Sequence, residues 1–144
     1  MAVERNISIA RRFVEEHNGD DYVAIHDELL AENARLHIAI PGTPDPLDRE
    51  GHKQMVAMFR AAMPDIRDTV EDIIAEGDSV AVRWSGMGTQ MGELMGVPAT
   101  GRQVNTTGVY IFRFAGGQIV ESWLNLDLLG VVQQIGAIPA SAPA

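Results

Sequence analysis

The run Gln118 to Asp127 (QIVESWLNLD) holds the densest set of side chains able to do chemistry. Side chains alternate along a strand, so Ile119, Glu121, Trp123, Asn125 and Asp127 share one face. Val120, Ser122, Leu124 and Leu126 share the other. The first face sets an aromatic ring, an amide and a carboxylate in a row. Turned into an apolar cavity, it would offer Asp127 as a general acid or base. Turned to solvent, it would leave Asp127 as the cap of a helix starting at residue 128, a position that Asp favours.

The four histidines divide three to one. His17 lies at a helix end, and His26 and His52 lie in helices without a partner at metal spacing, so ordinary surface or helix-end roles are expected of them. His37 sits in a strand between Leu36 and Ile38, where it can enter a cavity as acid, base or hydrogen-bond donor, or be a satisfied, partly buried imidazole. Met87, Met91 and Met95 fall close together between glycines. Their flexible thioethers suit a pocket lid as well as they suit a gap-filled core or a dimer contact. Gly86-Met87-Gly88 lacks the strand-to-helix setting of a phosphate loop, and no serine sits on a nucleophile elbow. No metal site is expected.

These residues need elements to hold them. Apolar residues at three- and four-residue steps predict helices over 3–17, 21–31 and 48–63, the last with Met55, Met58, Phe59 and Ala62 inward. Residues 34–40 read as a short strand, and the three prolines between 41 and 46 force a loop. Strands are expected at 66–76, 79–90, 102–114 and 118–127, and a short amphipathic helix or turn at 128–136. Helices first and a long antiparallel sheet after them make an α+β layer pattern. A curved sheet packed on its helices leaves a cavity suited to a small molecule.

Composition narrows the classes. The 144 residues make one domain, taken as 1–138 with a frayed tail at 139–144. Eleven Lys and Arg against twenty Asp and Glu leave a net charge of −9, which repels phosphate backbones and argues against nucleic acid. The absence of Cys removes disulfides and thiol chemistry and fits a cytoplasmic location. No apolar run reaches the roughly 18 residues of a membrane span, and residues 1–6 do not read as a signal peptide.

Several segments together resemble the SnoaL-like polyketide cyclases, within the larger superfamily of nuclear transport factor 2 and ketosteroid isomerase. They are NGDDYVAIHDELL (18–30), MPDI (63–66), VEDIIAEGDSVAV (70–82), GTQMGELMGVPATG (88–101) and GQIVESWLNLDLLGVVQQIG (117–136). The resemblance implies a cone-shaped α+β barrel, with N-terminal helices on a curved antiparallel or mixed sheet that encloses a ligand cavity. It implies intramolecular aldol cyclisation of a polyketide-type carbonyl compound, without metal or cofactor. Asp127 matches the family's acid/base residue, and His37 would assist it. Trp123, Trp84, Phe13 and Met91 would wall a polycyclic substrate, and Asn125, Gln90 and His37 would bind its carbonyl oxygens. Gln90 stands where family members often carry His; an amide cannot titrate but can donate a hydrogen bond.

The fold hosts unrelated activities. A ketosteroid-type isomerase would need an oxyanion donor such as Tyr22 or Tyr110. An epoxide hydrolase would pair Asp127 with Arg35 or Arg83. A non-catalytic binding module would leave Asp127 pointing to solvent. A homodimer is expected, because the apolar parity of Val120, Leu124 and Leu126 needs cover, and a partner sheet would supply it.

Overall fold

The protein is described from a computed structural model covering residues 1–138; the expected tail, 139–144, lies outside the described residues. α1 (Ala2–Glu16) buries Asn6, Ala10, Phe13 and Val14, a stripe at three- and four-residue steps. Gly19 breaks the chain before α2 (Tyr22–Leu29), which buries Ile25, His26 and Leu29. β1 (Leu30–Ile38) follows with no linker, as the backbone turns extended at Leu30. After the proline-rich loop, the Asp48 side chain accepts from the Gly51 amide at 2.7 Å and starts α3 (Arg49–Ala62). α3 turns His52, Val56 and Ala62 fully inward. Met58, expected inside, is 71% exposed.

β2 (Arg67–Glu76) and β3 (Ser79–Thr89) form one hairpin, and β4 (Gln103–Ala115) and β5 (Gln118–Leu126) another. Gly77, Gly116 and Gly117 take the positive φ that these tight turns need. α4 (Leu128–Gln134) closes the described chain. The sheet order is β1-β5-β4-β3-β2; β1 runs parallel to β5 and every other pair is antiparallel. This is an α+β fold with an open, mixed sheet whose edges are β1 and β2. α1 packs on β2 and β3, α3 on β1, and α4 on β4. A large core around Phe13, Leu36, Val82, Tyr110 and Phe112 and a smaller one around Ala62, Met63, Val104 and Val131 leave a cavity between them.

Two bulges decide which side chains enter that cavity. In β5, Arg113 opposes Glu121 while Phe114 opposes Ile119, so Val120 is an extra residue. The insertion flips the parity that alternation predicts. Beyond it Ser122, Leu124 and Leu126 point inward, and Glu121, Trp123 and Asn125 point outward. Leu124 and Leu126 are therefore cavity wall, which removes the apolar face expected to be covered by a partner sheet. In β2 the register shifts between Val70 and Asp72. Asp68 and Val70 face inward before the shift, whereas Ile74, on the same parity, is 69% exposed after it.

Candidate active site

The cavity measures about 90 Å³ and lies between the inner face of the sheet and α1, α3 and α4. Its wall is mostly apolar: Ile40, Val56, Phe59, Leu124, Leu126 and Val131, with the thioethers of Met55, Met63, Met87 and Met95. Met95 is held at φ +49 in the loop that follows β3. Flexible methionines let such a wall adjust to a rigid ligand. Polar groups gather at one end, where His17 and Asn18 from the end of α1 meet Asp68 on β2, Trp84 on β3 and Tyr110 on β4.

Among the described residues, Asp68 is the one carboxylate in the wall. It is 8% exposed, and burial lifts its carboxyl from 3.8 to about 7, with the Asn18 amide pulling the other way. Asn18 Nδ2 donates to Oδ2 at 2.8 Å. Opposite Asp68 in the register stands Gly86, where any larger residue would drive its Cβ into Oδ1. Trp84 lies across Gly86 and Gly108; a Cβ at Gly108 would come within 2.6 Å of its Cζ2. Trp84 Nε1 is buried with no hydrogen-bond partner. The Tyr110 hydroxyl is held protonated, its pKa pushed far up by burial and then by the nearby Asp68.

Three buried histidines back this polar end. His17, His26 and His52 are 4%, 0% and 1% exposed, against the surface and helix-end roles expected of them. His26 Nε2 lies 2.6 Å from His52 Nδ1, and the Phe13 ring stacks on His17 with centroids 4.9 Å apart. Burial lowers all three pKa values, His17 to about 4 with a contribution from His26. Among the described residues, no group of three or more His, Cys, Asp or Glu is arranged to hold a metal ion.

The expected site residues divide by face. Trp84 and Tyr110 line the cavity. Phe13 is fully buried and supports the lining from behind through His17 and Tyr110. Asp127 does not enter the cavity: it lies past the flipped parity of β5, exposed, and its side chain accepts from the Gly130 amide at 3.0 Å as the N-cap of α4. It borders a separate, more open groove of about 290 Å³ with Arg67, Ser85 and Asn105, which shares Gly86, Met87 and Thr106 with the cavity wall.

His37, Trp123 and Asn125 also lie outside. The His37 ring bridges Asp45 at 2.5 Å and Glu121 at 2.7 Å and stacks on Trp123, with Arg113 over the same indole. Glu121 first, with Asp45, raises the His37 pKa. Gln90 is fully buried but holds the loop rather than a ligand. Its Nε2 donates to the carbonyls of Val97 at 2.9 Å and Pro98 at 3.2 Å, and Thr100 Oγ1 donates to its Oε1 at 2.6 Å. Met91 is 61% exposed and outside the lining. Among the described residues no arginine lines the cavity, so the Asp127–Arg35 or Asp127–Arg83 pairing of an epoxide hydrolase is not assembled there.

Asp68 was legible in one respect. Ile66, Asp68 and Val70 share a strand parity, and a carboxylate between two apolar residues on one face is a buried-acid signal. Only the fold brings it to His17 and Tyr110.

The sequence profile of the SnoaL-like polyketide cyclases matches residues 8–135. The chain belongs to that family. Its fold superposes on a candidate SnoaL-like polyketide cyclase from Jannaschia sp. CCS1 with a TM-score of 0.84, at 26% identity over 96% of both chains. IdmH, a candidate polyketide cyclase from Streptomyces antibioticus, is 33% identical over 92% of this chain and 99% of its own, with a TM-score of 0.78. AclR, a candidate hydroxylase from Streptomyces galilaeus, shares the fold at 24% identity and a TM-score of 0.84, covering 98% of this chain and 86% of its own. No curated protein matches the sequence. Among the described residues, no helix is long and apolar enough to cross a membrane.

Proposed function

We propose that this SnoaL-like protein closes a ring in an apolar, carbonyl-rich small molecule by intramolecular aldol addition, with Asp68 moving the proton. The observation that carries this reading is that Asp68 is, among the described residues, the sole carboxylate of a mostly apolar cavity. As carboxylate it removes a proton from a carbon acidified by flanking carbonyls. The charge that develops on the enolate oxygen is met by the Tyr110 hydroxyl and the unpartnered Trp84 N–H, donors on two residues of the mostly apolar wall. The enolate carbon then bonds to a carbonyl carbon elsewhere in the same molecule, which the cavity wall folds within reach. Asp68, now a neutral acid, returns the proton to the new alkoxide. Nothing is gained or lost, so product and substrate are isomers.

Asp127 facing solvent is what a pure binding module was expected to show. The buried acid on β2 favours catalysis over that alternative. A homodimer would use the outer sheet face, where Val109, Ile111 and Trp123 stand among Arg35, Arg113 and Glu121.

Asp68→Asn and Asp127→Asn separate the two carboxylates. Asn caps a helix as well as Asp, so the second variant keeps α4 intact. With an aryl 1,3-diketone carrying a ketone further along its chain, ring closure is read as an isomer of changed retention. Asp68→Asn is expected to lower kcat about 10²–10⁴-fold, the usual worth of general acid–base catalysis, and Asp127→Asn to leave it near wild type. The reverse order would return the role to Asp127.

A further inference from the structure

The polar end of the cavity holds a second proton site that ring closure as described above leaves unused. Carbonyl oxygens only accept hydrogen bonds. His17 Nδ1 lies 2.8 Å from the Phe13 carbonyl and 3.2 Å from that of Val14, so it carries the ring proton. His26 Nδ1 lies 2.6 Å from the Tyr22 carbonyl and carries its proton for the same reason. The bare His26 Nε2 then accepts from His52 Nδ1 at 2.6 Å. In the neutral state all three rings are the same tautomer, and the lone pair of His17 Nε2 lies 3.9 Å from Asp68 Oδ2.

That arrangement is selective for proton count. With no proton between them, a carboxylate and an imidazole lone pair face each other in an apolar wall. With one, as Asp68 O–H to Nε2 or as a carboxylate beside imidazolium, the contact is attractive, and a closure of about 1 Å brings it to hydrogen-bond length. With two, an uncompensated cation is buried. We propose that His17 is a positioning residue for Asp68, the two side chains sharing a single proton, so that Asp68 takes or gives a proton only as half of a coupled pair.

The groups facing the pair are fixed or neutral. Asn18 donates to Asp68 from the end of α1, and Tyr110 and Trp84 face it from β4 and β3. His26 from α2 and His52 from α3 adjoin His17. Charged groups lie in the next layer out: Arg60 from α3 donates to the Asn18 carbonyl and pairs with Asp20, Glu15 from α1 accepts from the Val70 amide, and behind His26 Lys53 pairs with Asp27 and Glu50. The inference rests on Asp68 as the proton-transfer group, and its test needs no substrate, so it stands or falls apart from ring closure.

The full chain, labelled with ¹³C at Asp carboxyls and ¹⁵N at imidazoles, is titrated by NMR from about pH 5 to about pH 9. Asp68 Cγ and His17 Nε2 are expected to shift with one midpoint, and Asp68→Asn to erase the step at His17 Nε2. His17→Gln places an amide donor near the same point and is expected to lower the Asp68 midpoint by about one unit or more. A His17 Nε2 signal that stays flat through the Asp68 transition would overturn the proposal. So would an Asp68 midpoint that His17→Gln leaves unmoved.

Discussion

A carboxyl that folding moves from 3.8 to about 7 alters stability as well as chemistry. Between those values the native chain keeps a proton that the unfolded chain has already lost. Stability therefore falls as pH rises from about 4 to about 7, then levels, by at most about 4 kcal/mol. The buried histidines act in the opposite sense. His17 falls from 6.5 to about 4, so acid protonates the unfolded chain first and stability is lost as pH drops through that window. Asp68→Asn removes the first effect. Its Tm is expected to exceed the wild-type value at about pH 8 and to converge on it near pH 4, as read by thermal melts across pH. Equal Tm values at pH 8 would mean that the carboxyl is not held in a desolvated site. At this scale the sequence showed residue types but not neighbours. Trp84 and Tyr110 were legible because aromatic residues on an inward parity have few other places to go. The histidines were not, since nothing in helix spacing tells that α1, α2 and α3 converge on one point.

Elements were the most legible scale, and also where the site reading failed. All nine lie within a few residues of the expected ranges, because caps, prolines and glycines mark their ends. Strict alternation along β5 puts its side chains on the wrong face because a single extra residue at Val120 reverses every side chain after it. A bulge leaves no signature in a two-residue period, so Trp123, Asn125 and Asp127 looked like cavity residues and Leu124 and Leu126 like an outer face. The loop after β3 shows a different limit. Gln90 sits in a resemblance motif that implies ligand binding, yet its amide is engaged with Val97, Pro98 and Thr100. That clip positions Met95 against the cavity. Gln90→Leu is expected to cost about 2 kcal/mol in denaturant unfolding, the worth of buried partners left unpaired. It should also speed hydrogen exchange across residues 91–101. Unchanged exchange there would show that the loop holds itself without the amide.

At the scale of the whole molecule, the fold sorts acidic groups by environment. Most of the charge behind a net −9 is solvated, whereas Asp68 stands at the junction of two cores, in a wall with no other carboxylate among the described residues. The opposite face of the sheet carries exposed Val109 and Ile111 beside the Trp123–Arg113 stack. Pairing of two copies through that face is expected to give a dimer by gel filtration that Ile111→Glu dissociates, since a charge there meets an apolar patch. A wild-type monomer at micromolar concentration would remove the dimer.

The central claim is that a buried acid on β2 performs the proton transfer, and the pH dependence of kcat/KM tests it most directly. Because kcat/KM reports the free enzyme and Asp68 must be ionised to act as base, the rate is expected to rise to a plateau with a midpoint at about pH 7. A profile flat from about pH 5 to about pH 9, or a rising limb that persists unchanged in the residual activity of Asp68→Asn, would contradict it.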